Sequence, residues 1–490
     1  MKSRLHTIAL LLIVLASLSV YANILQNDFV YDDTTEVISN PWIRDFKNIP
    51  EFFLSNSCKF EFPSYSTSNY YHPLKLITYT IQYSIFNKKP WGYHLTSALM
   101  HMLTTILVFF IAISLYKQSR NEVNIIFPLL AALFFAVHPI HTEAVAFISA
   151  TGELFMAFFC LASFLIYINA QRRNATIQFI VSAVLFLMGA LFKATAITFL
   201  FMFFLFDYAF KQGIFAGHRN RPGGMIFLRR YLPFICAVFT YVVLRSYAIG
   251  GFVPERRHAE MNAIQLLMNI VTLFGQYLQK LIVPQNLNVL EVFHPVSSLL
   301  STRVLYALLI LFLFIVIGYV AKKNDKGVFL SLFWIVIPLL PVLYFPAFLS
   351  ESVFAERYLY LPSAGLAVAV GYLLHSAFSL RLPKFLSTFL LPFMVSSVLL
   401  LFSLQTINRN HIWKNDYSLW TDTLKNSPDS CTAHNNLGNV YYRAGYLDQA
   451  LKEYQIAVTL NPNYQDALNN YFLVYRIREA LMNQKQKRVF

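Results

Sequence analysis

Charge is scarce in this chain. Only 13% of its 490 residues are Asp, Glu, Lys or Arg, about half the roughly 25% of a typical soluble domain, which excludes an ordinary soluble enzyme. Cysteine is scarcer still. Cys58, Cys160, Cys236 and Cys431 form neither a CxxC pair nor a regular spacing, which excludes a disulfide framework and a cysteine-built zinc site. Any metal would have to use His or carboxylate. What takes the place of charge is apolar surface. Hydrophobic residues make up 57% of the chain, and they gather into nearly uncharged runs of about 17 or more, enough to cross roughly 30 Å of hydrocarbon. The expected fold class is all-α, a polytopic helical membrane protein, because long helices satisfy their own backbone polar groups in lipid.

Eleven spans are expected. The first follows the charged start Lys2-Ser3-Arg4 and runs from Leu5 to Tyr21; lacking a clear small-x-small cleavage site, it reads as a retained signal anchor. The others fall near 94–116, 125–143, 152–169, 175–191, 194–210, 231–247, 304–320, 327–346, 362–378 and 385–405. With the N-terminus inside, alternation puts Lys2/Arg4, Lys117/Arg120, Arg172/Arg173, the five cations from Lys211 to Arg230, Lys322/Lys323/Lys326 and Arg381/Lys384 on the cytoplasmic side. Every one of these connections is basic. The positive-inside rule therefore accounts for the net charge of +15 without a nucleic-acid surface, and no nucleic-acid partner is expected. A span at 262–283 would break the alternation. That segment also carries Gln265, Asn269, Gln276, Gln279 and Lys280, so it reads as an interfacial helix. Two parts result: a membrane domain over 1–405, with outer segments at 23–93 and 248–303, and an outward-facing tail over 406–490.

The tail repeats with a period of 34. Leu437-Gly438, Tyr441, Gly445, Ala450, Tyr454, Ala457 and Pro462 fit one tetratricopeptide repeat over 431–464. Pro428 and Pro462, Trp420 and Tyr454, Ala433 and Ala467, and Tyr441 and Tyr475 are each 34 residues apart, so a half repeat precedes the full one and another helix follows. One full repeat is fewer than the roughly three that stand alone. The tail is expected to lean on the outer loops or on a partner, and helical packing without ligand binding is its plainer reading.

Candidate chemistry lies at the outer ends of the spans. Asp32-Asp33 follows the first span closely; adjacent carboxylates repel, so at least one stays ionised and able to serve as a base. The plainer reading of such a pair is a helix cap. Tyr70-Tyr71-His72-Pro73 and Trp91-Gly92-Tyr93-His94 bring aromatics to the boundary, where interfacial anchoring also suits them. His138, His141 and Glu143, with Glu153 beyond, match no closed metal-ligand set, and a polar cluster lining a cavity is the better reading; the metal question stays open. Glu356-Arg357 and Lys193 offer the means to hold a lipid phosphate, since a guanidinium grips it with two hydrogen bonds. Snorkelling to the headgroups is the alternative for both cations.

These residues together resemble the family of transmembrane and tetratricopeptide-repeat O-mannosyltransferases and their prokaryotic relatives, in membrane glycosyltransferase superfamily C. The resemblance covers nearly the whole chain. It rests on Phe29-Val30-Tyr31-Asp32-Asp33 with Asn40-Pro41, on Tyr71-His72-Pro73-Leu74 and Gly92-Tyr93-His94-Leu95-Thr96, on His138-Pro139-Ile140-His141-Thr142-Glu143-Ala144-Val145, on Ala355-Glu356-Arg357-Tyr358-Leu359-Tyr360-Leu361-Pro362-Ser363, and on the tail. It implies transfer of a sugar from a polyprenyl-phosphate carrier to a protein or other hydroxyl acceptor on the outer or lumenal face. By that resemblance Asp32 or Asp33 is the base, Glu356 and Arg357 sit at the carrier phosphate, and His138, His141, Glu143, Glu153 and Lys193 line the substrate site. The acceptor, protein or glycan, would be reached through the tail. Three positions depart from the pattern: Thr151 stands where an Arg is usual, Ala194 follows Lys193 in place of Glu, and His72 replaces an Arg.

No cofactor is called for, and a divalent metal is left open. Direct attack aided by one base implies inversion at the sugar, because retention by double displacement needs a second carboxylate as nucleophile. The short repeat array leans prokaryotic, which implies an inner membrane and an undecaprenyl-like carrier. The competing reading is a non-catalytic membrane scaffold that binds a partner through its repeats. A transporter is disfavoured, since transporters place functional charge near the midplane and the acidic clusters here lie at span ends.

Overall fold

The computed structural model describes residues 2–60, 70–120, 124–170, 176–215, 223–250, 261–344, 351–380 and 383–487. Arg172, Arg173, Arg219, Arg221 and Arg381, counted above among the cytoplasmic cations, lie outside the described residues. The described chain is helical, with a lone bridge between Glu291 and Phe354 as its extended pairing.

Helices stand at all eleven expected positions, but they are not alike. Eight are long and apolar enough to cross a membrane: Arg4–Gln26, Pro90–Ser119, Ile148–Ala170, Leu232–Ile249, Thr302–Asn324, Lys326–Leu343, Glu356–Ser379 and Leu386–Lys414. A ninth position is a bent pair, Ile126–Val137 with Pro139–Ala146, at 48°. The bend has a local cause. Pro139 donates no backbone hydrogen bond and forces His138 out of the helical region, to φ −69° and ψ 123°. The last two positions, Thr176–Phe192 and Ala194–Ala209, are shorter apolar helices, parted where Lys193 takes an extended backbone. Length and composition thus support eight crossing helices among the described residues, or nine with the bent pair, and not the full eleven. Ala263–Ile282 is not among them; its capping box, Asn262 with Gln265, starts a helix with Leu273, Tyr277, Leu278 and Leu281 buried and Ile264 and Leu267 exposed.

Small residues set the helix approach, as they do where lipid gives no hydrophobic drive. A Cβ on Gly365 would stand 2.8 Å from the Ser331 carbonyl and 2.9 Å from Trp334 Cβ. At one end of the bundle Arg120 pairs with Asp325 and donates to Ser376 Oγ at 3.2 Å. Pro90–Ser119 is 30 residues long, about 45 Å at helical rise, so this cluster is far from the end where the tail packs.

The tail packs by its 34-residue spacing. Trp420 and Tyr454, and likewise Ala433 and Ala467, are buried at equivalent positions. Gly438 is where Tyr454 presses closest: an added Cβ would meet its ring at 2.6 Å. The array does not stand apart from the bundle. Glu351, in the segment before Glu356–Ser379, accepts from the backbone N–H of Cys431 at 2.9 Å and of Thr432 at 3.1 Å, and from Ser430 Oγ at 3.0 Å. It thereby caps the first repeat helix, Cys431–Arg443, from outside, a favourable place for a carboxylate. Asn288 Nδ2 donates to Ser427 Oγ at 2.8 Å, and the N–H of Asp28 donates to Lys414 O at 2.9 Å. Replacing Glu351 by Ala is expected to cost about 1–2 kcal/mol of docking, the scale of a lost cap. Hydrogen exchange should quicken in the first turn of Cys431–Arg443; unchanged protection there would remove this carboxylate from the anchor.

Candidate functional site

The first outer segment reaches its carboxylate pair through a strained residue. Tyr31 has φ +51°, which a bulky side chain tolerates only when its surroundings impose it. Its N–H donates to Asp416 Oδ1 at 2.9 Å, and its ring lies parallel to Phe147 and edge-on to Trp420, with centroids at 6.1 and 4.9 Å. After this kink the two carboxylates part. Asp33 is fully buried, and Asp32 is exposed.

Asp33 Oδ1 accepts from the N–H and Oγ of Ser149, each at 2.7 Å, and Oδ2 accepts from the N–H of Val30 at 3.1 Å. Burial pushes its carboxyl up to about 8, against the pull of those donors. Asp33 therefore ties the first outer segment to the start of Ile148–Ala170. Asp32 is differently placed. Burial raises the Tyr31 phenol most, the Asp32 carboxylate raises it further, and the Arg357 guanidinium lowers it. The Tyr70 phenol also feels both charges, in the same senses. Asp32 and Arg357 thus lie within electrostatic reach of the same two phenols.

Arg357 is the centre of a charge network drawn from separate segments. Its backbone N–H donates to Glu143 Oε2 at 2.8 Å and its guanidinium pairs with Glu143 Oε1. Its Nε lies 3.3 Å from Glu153 Oε1, and Lys193 pairs with that same oxygen. Lys193 Nζ and the Arg357 guanidinium sit 4.6 and 5.2 Å from the Tyr358 ring centroid, within cation–π range. Glu36, five residues past Tyr31, pairs with Lys75 at 2.6 Å and accepts from Tyr79 OH at 3.1 Å. Burial first, and then the charges of Lys75, Lys193 and Arg245, hold His72 well below its ordinary value and so neutral.

The remaining site expectations fall elsewhere. Glu356 is fully buried, accepts from the N–H of Asn288, and faces Arg409 Nη2 at 3.4 and 3.5 Å, while Arg409 also meets Asp422 at 3.6 Å. Its bonds thus run to the 288 segment and the tail, and those of its neighbour Arg357 to Glu143 and Glu153. His138 Nε2 bonds to Leu281 O at 3.0 Å and its Nδ1 accepts from the N–H of Ile140; His141 Nε2 bonds to Ser363 Oγ at 2.7 Å. Both imidazoles are buried against aromatic rings, His141 on Phe135 and Tyr360 and His138 on Phe134 and Phe402. Among the described residues no group of three or more His, Cys, Asp or Glu side chains could hold a metal ion. Lys75, Tyr79 and Arg409 were not singled out from the sequence. Lys75 had the clearest signal, a lysine at the boundary one turn beyond His72-Pro73, near the place of the missing Arg.

An all-helical, multi-pass membrane protein with a charged site beside a docked repeat tail is the class this architecture defines. The family described as dolichyl-phosphate-mannose-protein mannosyltransferase matches residues 73–221, and the tetratricopeptide repeat matches 431–464. A protein O-mannosyl-transferase of Caenorhabditis elegans is 27% identical over 462 residues, 93% of this chain and 63% of its own. Human protein O-mannosyl-transferase TMTC3 is 27% identical over 489 residues, 93% of this chain and 52% of its own. The chain is similar to these protein O-mannosyl-transferases and spans between about half and two thirds of their length. The crystal structure of ArnT from Cupriavidus metallidurans bound to undecaprenyl phosphate is similar over 95% of this chain and 76% of that one, at 13% identity and a TM-score of 0.40, too low to carry an argument.

The division within the Asp pair is open to measurement. Asp33→Asn replaces an acceptor with an amide that must face N–H groups, and should destabilise the protein by about 1–3 kcal/mol, whereas Asp32→Asn should leave the melting temperature nearly unchanged. A carboxyl near 8 when folded and 3.8 when unfolded stabilises the fold fully at low pH and loses that contribution as pH rises through the interval. The gap in melting temperature between wild type and Asp33→Asn should therefore narrow from pH 4 towards pH 8. A gap that widens would reverse the assignment.

Proposed function

We propose that the chain is a membrane glycosyltransferase that moves a hexose from a polyprenyl-phosphate carrier to a hydroxyl of an acceptor, with Asp32 as base and Arg357 at the carrier phosphate. The observation that carries this reading is that the exposed Asp32 lies between Tyr31, stacked on Phe147, and Asp33, bonded to Ser149, while the part-exposed Arg357 is held by Glu143 and Glu153 on either side of that same segment. The acceptor oxygen attacks the anomeric carbon, the bond from that carbon to the phosphate oxygen breaks, and Asp32 takes the hydroxyl proton. Polyprenyl phosphate departs with its negative charge, which Arg357, Lys193 and Lys75 are placed to offset. The names of the relatives favour mannose as the sugar and a protein as the acceptor. Glu143 and Glu153 hold Arg357, and Asp33 holds the turn that presents Asp32. His138, His141 and Glu356 keep the surrounding helices and tail in register. Within this reading the membrane part, 1–405, does the chemistry and the tail, 406–490, receives the acceptor.

The orientation belongs to the same proposal: N-terminus cytoplasmic, site and tail outside. It is supported by the basic connections and by the Arg120–Asp325 cluster lying at the far end of Pro90–Ser119 from the tail. A prokaryotic inner membrane is its finer form; the two relatives described above are animal proteins and lend that form no support. A cysteine placed at exposed Asn463 should react with an impermeant maleimide from the outside of intact cells, and reaction only after permeabilisation would invert the topology.

The chemistry is tested in proteoliposomes with a polyprenyl-phosphate-linked mannose and a threonine-containing peptide. Asp32→Asn should lower turnover by about 10²–10⁴ with carrier binding intact. Arg357→Lys should weaken carrier binding as well, since a point charge loses the two-pronged grip. The product should be inverted at the anomeric carbon. Full transfer by Asp32→Asn, or a retained configuration, would sink this assignment of base and mechanism.

A further inference from the structure

Tyr31 stands where a tyrosine is rarely found. The N–H of Asp33 donates back to Val30 O at 3.0 Å, closing a turn over residues 30–33 with Tyr31 in second place at φ +51°. Positive φ at that place ordinarily goes to Gly, Asn or Asp. Among the described residues the other non-glycine cases are Asn87, Lys211 and Asn286. Contacts from outside the turn have to hold a tyrosine there, and two of the three that do so come from the tail. Asp416 Oδ1 accepts the Tyr31 N–H at 2.9 Å, and the Trp420 ring stands edge-on to the Tyr31 ring; the Phe147 ring, from the membrane domain, lies parallel to it.

Asp416 is not needed to cap its own helix, Asp416–Asn426. Asn415 does that: its Oδ1 accepts from the Ser418 N–H at 2.9 Å, and Ser418 Oγ accepts from the Asn415 N–H at 3.2 Å. The Asp416 carboxylate instead bridges two segments, taking the Tyr31 N–H on Oδ1 and Arg443 Nη2 on Oδ2 at 2.6 Å. Arg443 ends the first helix of the full repeat, so that helix braces the carboxylate. On the other side of Asp32 the chain is fixed by Asp33, bonded to Ser149. The exposed Asp32 is therefore suspended between two anchors, one in the membrane domain and one in the tail.

We infer that Asp416 is a positioning residue for transfer: through the N–H of Tyr31 it holds the strained turn that aims Asp32, so that the tail completes the reaction site from outside the membrane domain. The inference rests on the reading of Asp32 as the base. It goes beyond that reading by giving the tail a part in the chemical step that does not pass through the acceptor.

Released from Asp416, Tyr31 can relax to negative φ, and the direction of Asp32 changes with it. A misplacement of about 1 Å can cost about 10²-fold in rate. In the proteoliposome assay Asp416→Ala should therefore lower kcat by about 10- to 10²-fold, while KM for the peptide and for the lipid-linked mannose stays within about two-fold. Asp416→Asn, which keeps an acceptor for the Tyr31 N–H and weakens the pair with Arg443, should recover most of kcat. Arg443→Ala changes an exposed side chain that the fold can lose, removes the brace alone and should lower kcat a few-fold. In a Tyr31→Asn background the further loss on Asp416→Ala should shrink, because Asn takes positive φ without an outside hold. Hydrogen exchange read without substrate on a peptide covering 28–36 should quicken in Asp416→Ala and not in Asp416→Asn. Unchanged kcat in Asp416→Ala or in Arg443→Ala, equal losses in Asp416→Ala and Asp416→Asn, or a rise in peptide KM with kcat intact would each overturn the positioning role. Asp32→Asn decides the reading beneath it. Full transfer by that variant removes the base and with it the role of Asp416, whereas an inactive Asp32→Asn beside a fully active Asp416→Ala removes Asp416 alone.

Discussion

The pairing of the Arg357 guanidinium with the carboxylates of Glu143 and Glu153 is the contact on which the rest of this structure depends. Glu143 is fully buried, and a buried carboxylate left without its partner costs roughly 3–5 kcal/mol. The pairing joins the bent helix pair to the start of Ile148–Ala170 and to the start of Glu356–Ser379. Lys193 adds the break between two short apolar helices to the same oxygen of Glu153. Segments distant in sequence are thereby held together at one end of the bundle. The proline that bends the third expected span serves this arrangement, because the bend brings Glu143 back under Arg357.

Adjacent residues are put to different uses at this end. Asp32 and Asp33 part after a residue with positive φ; Glu356 and Arg357 part at the start of a tight helical turn, Glu356–Leu359. In each pair one member is sealed into packing and the other is open to solvent. The sealed members join elements: Asp33 joins the first outer segment to Ile148–Ala170, and Glu356 meets Arg409, which also reaches the tail through Asp422. A rigid frame of this kind is what precise placement of reactants demands.

The tail is built into the same frame. A single full repeat would be marginal by itself, and here its first helix is capped by Glu351, its preceding half repeat contributes Trp420 beside Tyr31, and Asp416 bonds to both the outer segment and Arg443. The first outer segment and the repeat array are consequently one continuous surface.

Membrane character, helical class, the repeat and its phase were all legible in the residues themselves, because they depend on periodic apolar spacing and on local backbone chemistry. The basic connections were legible for the same reason. Charged residues at span ends could be found by inspection, since each is an exception in an apolar run. Their partners could not. Whether Asp32 or Asp33 is exposed, and whether Glu356 serves Arg357 or Arg409, turns on backbone angles at single residues and on contacts across hundreds of positions. The bend in the third expected span was likewise visible only in the structure, where Pro139 interrupts a run that composition alone reads as continuous. Hydrophobic pattern determines which segments are buried; only the folded packing decides which charges meet, because a pairing exists solely where separate segments are brought within a few ångströms.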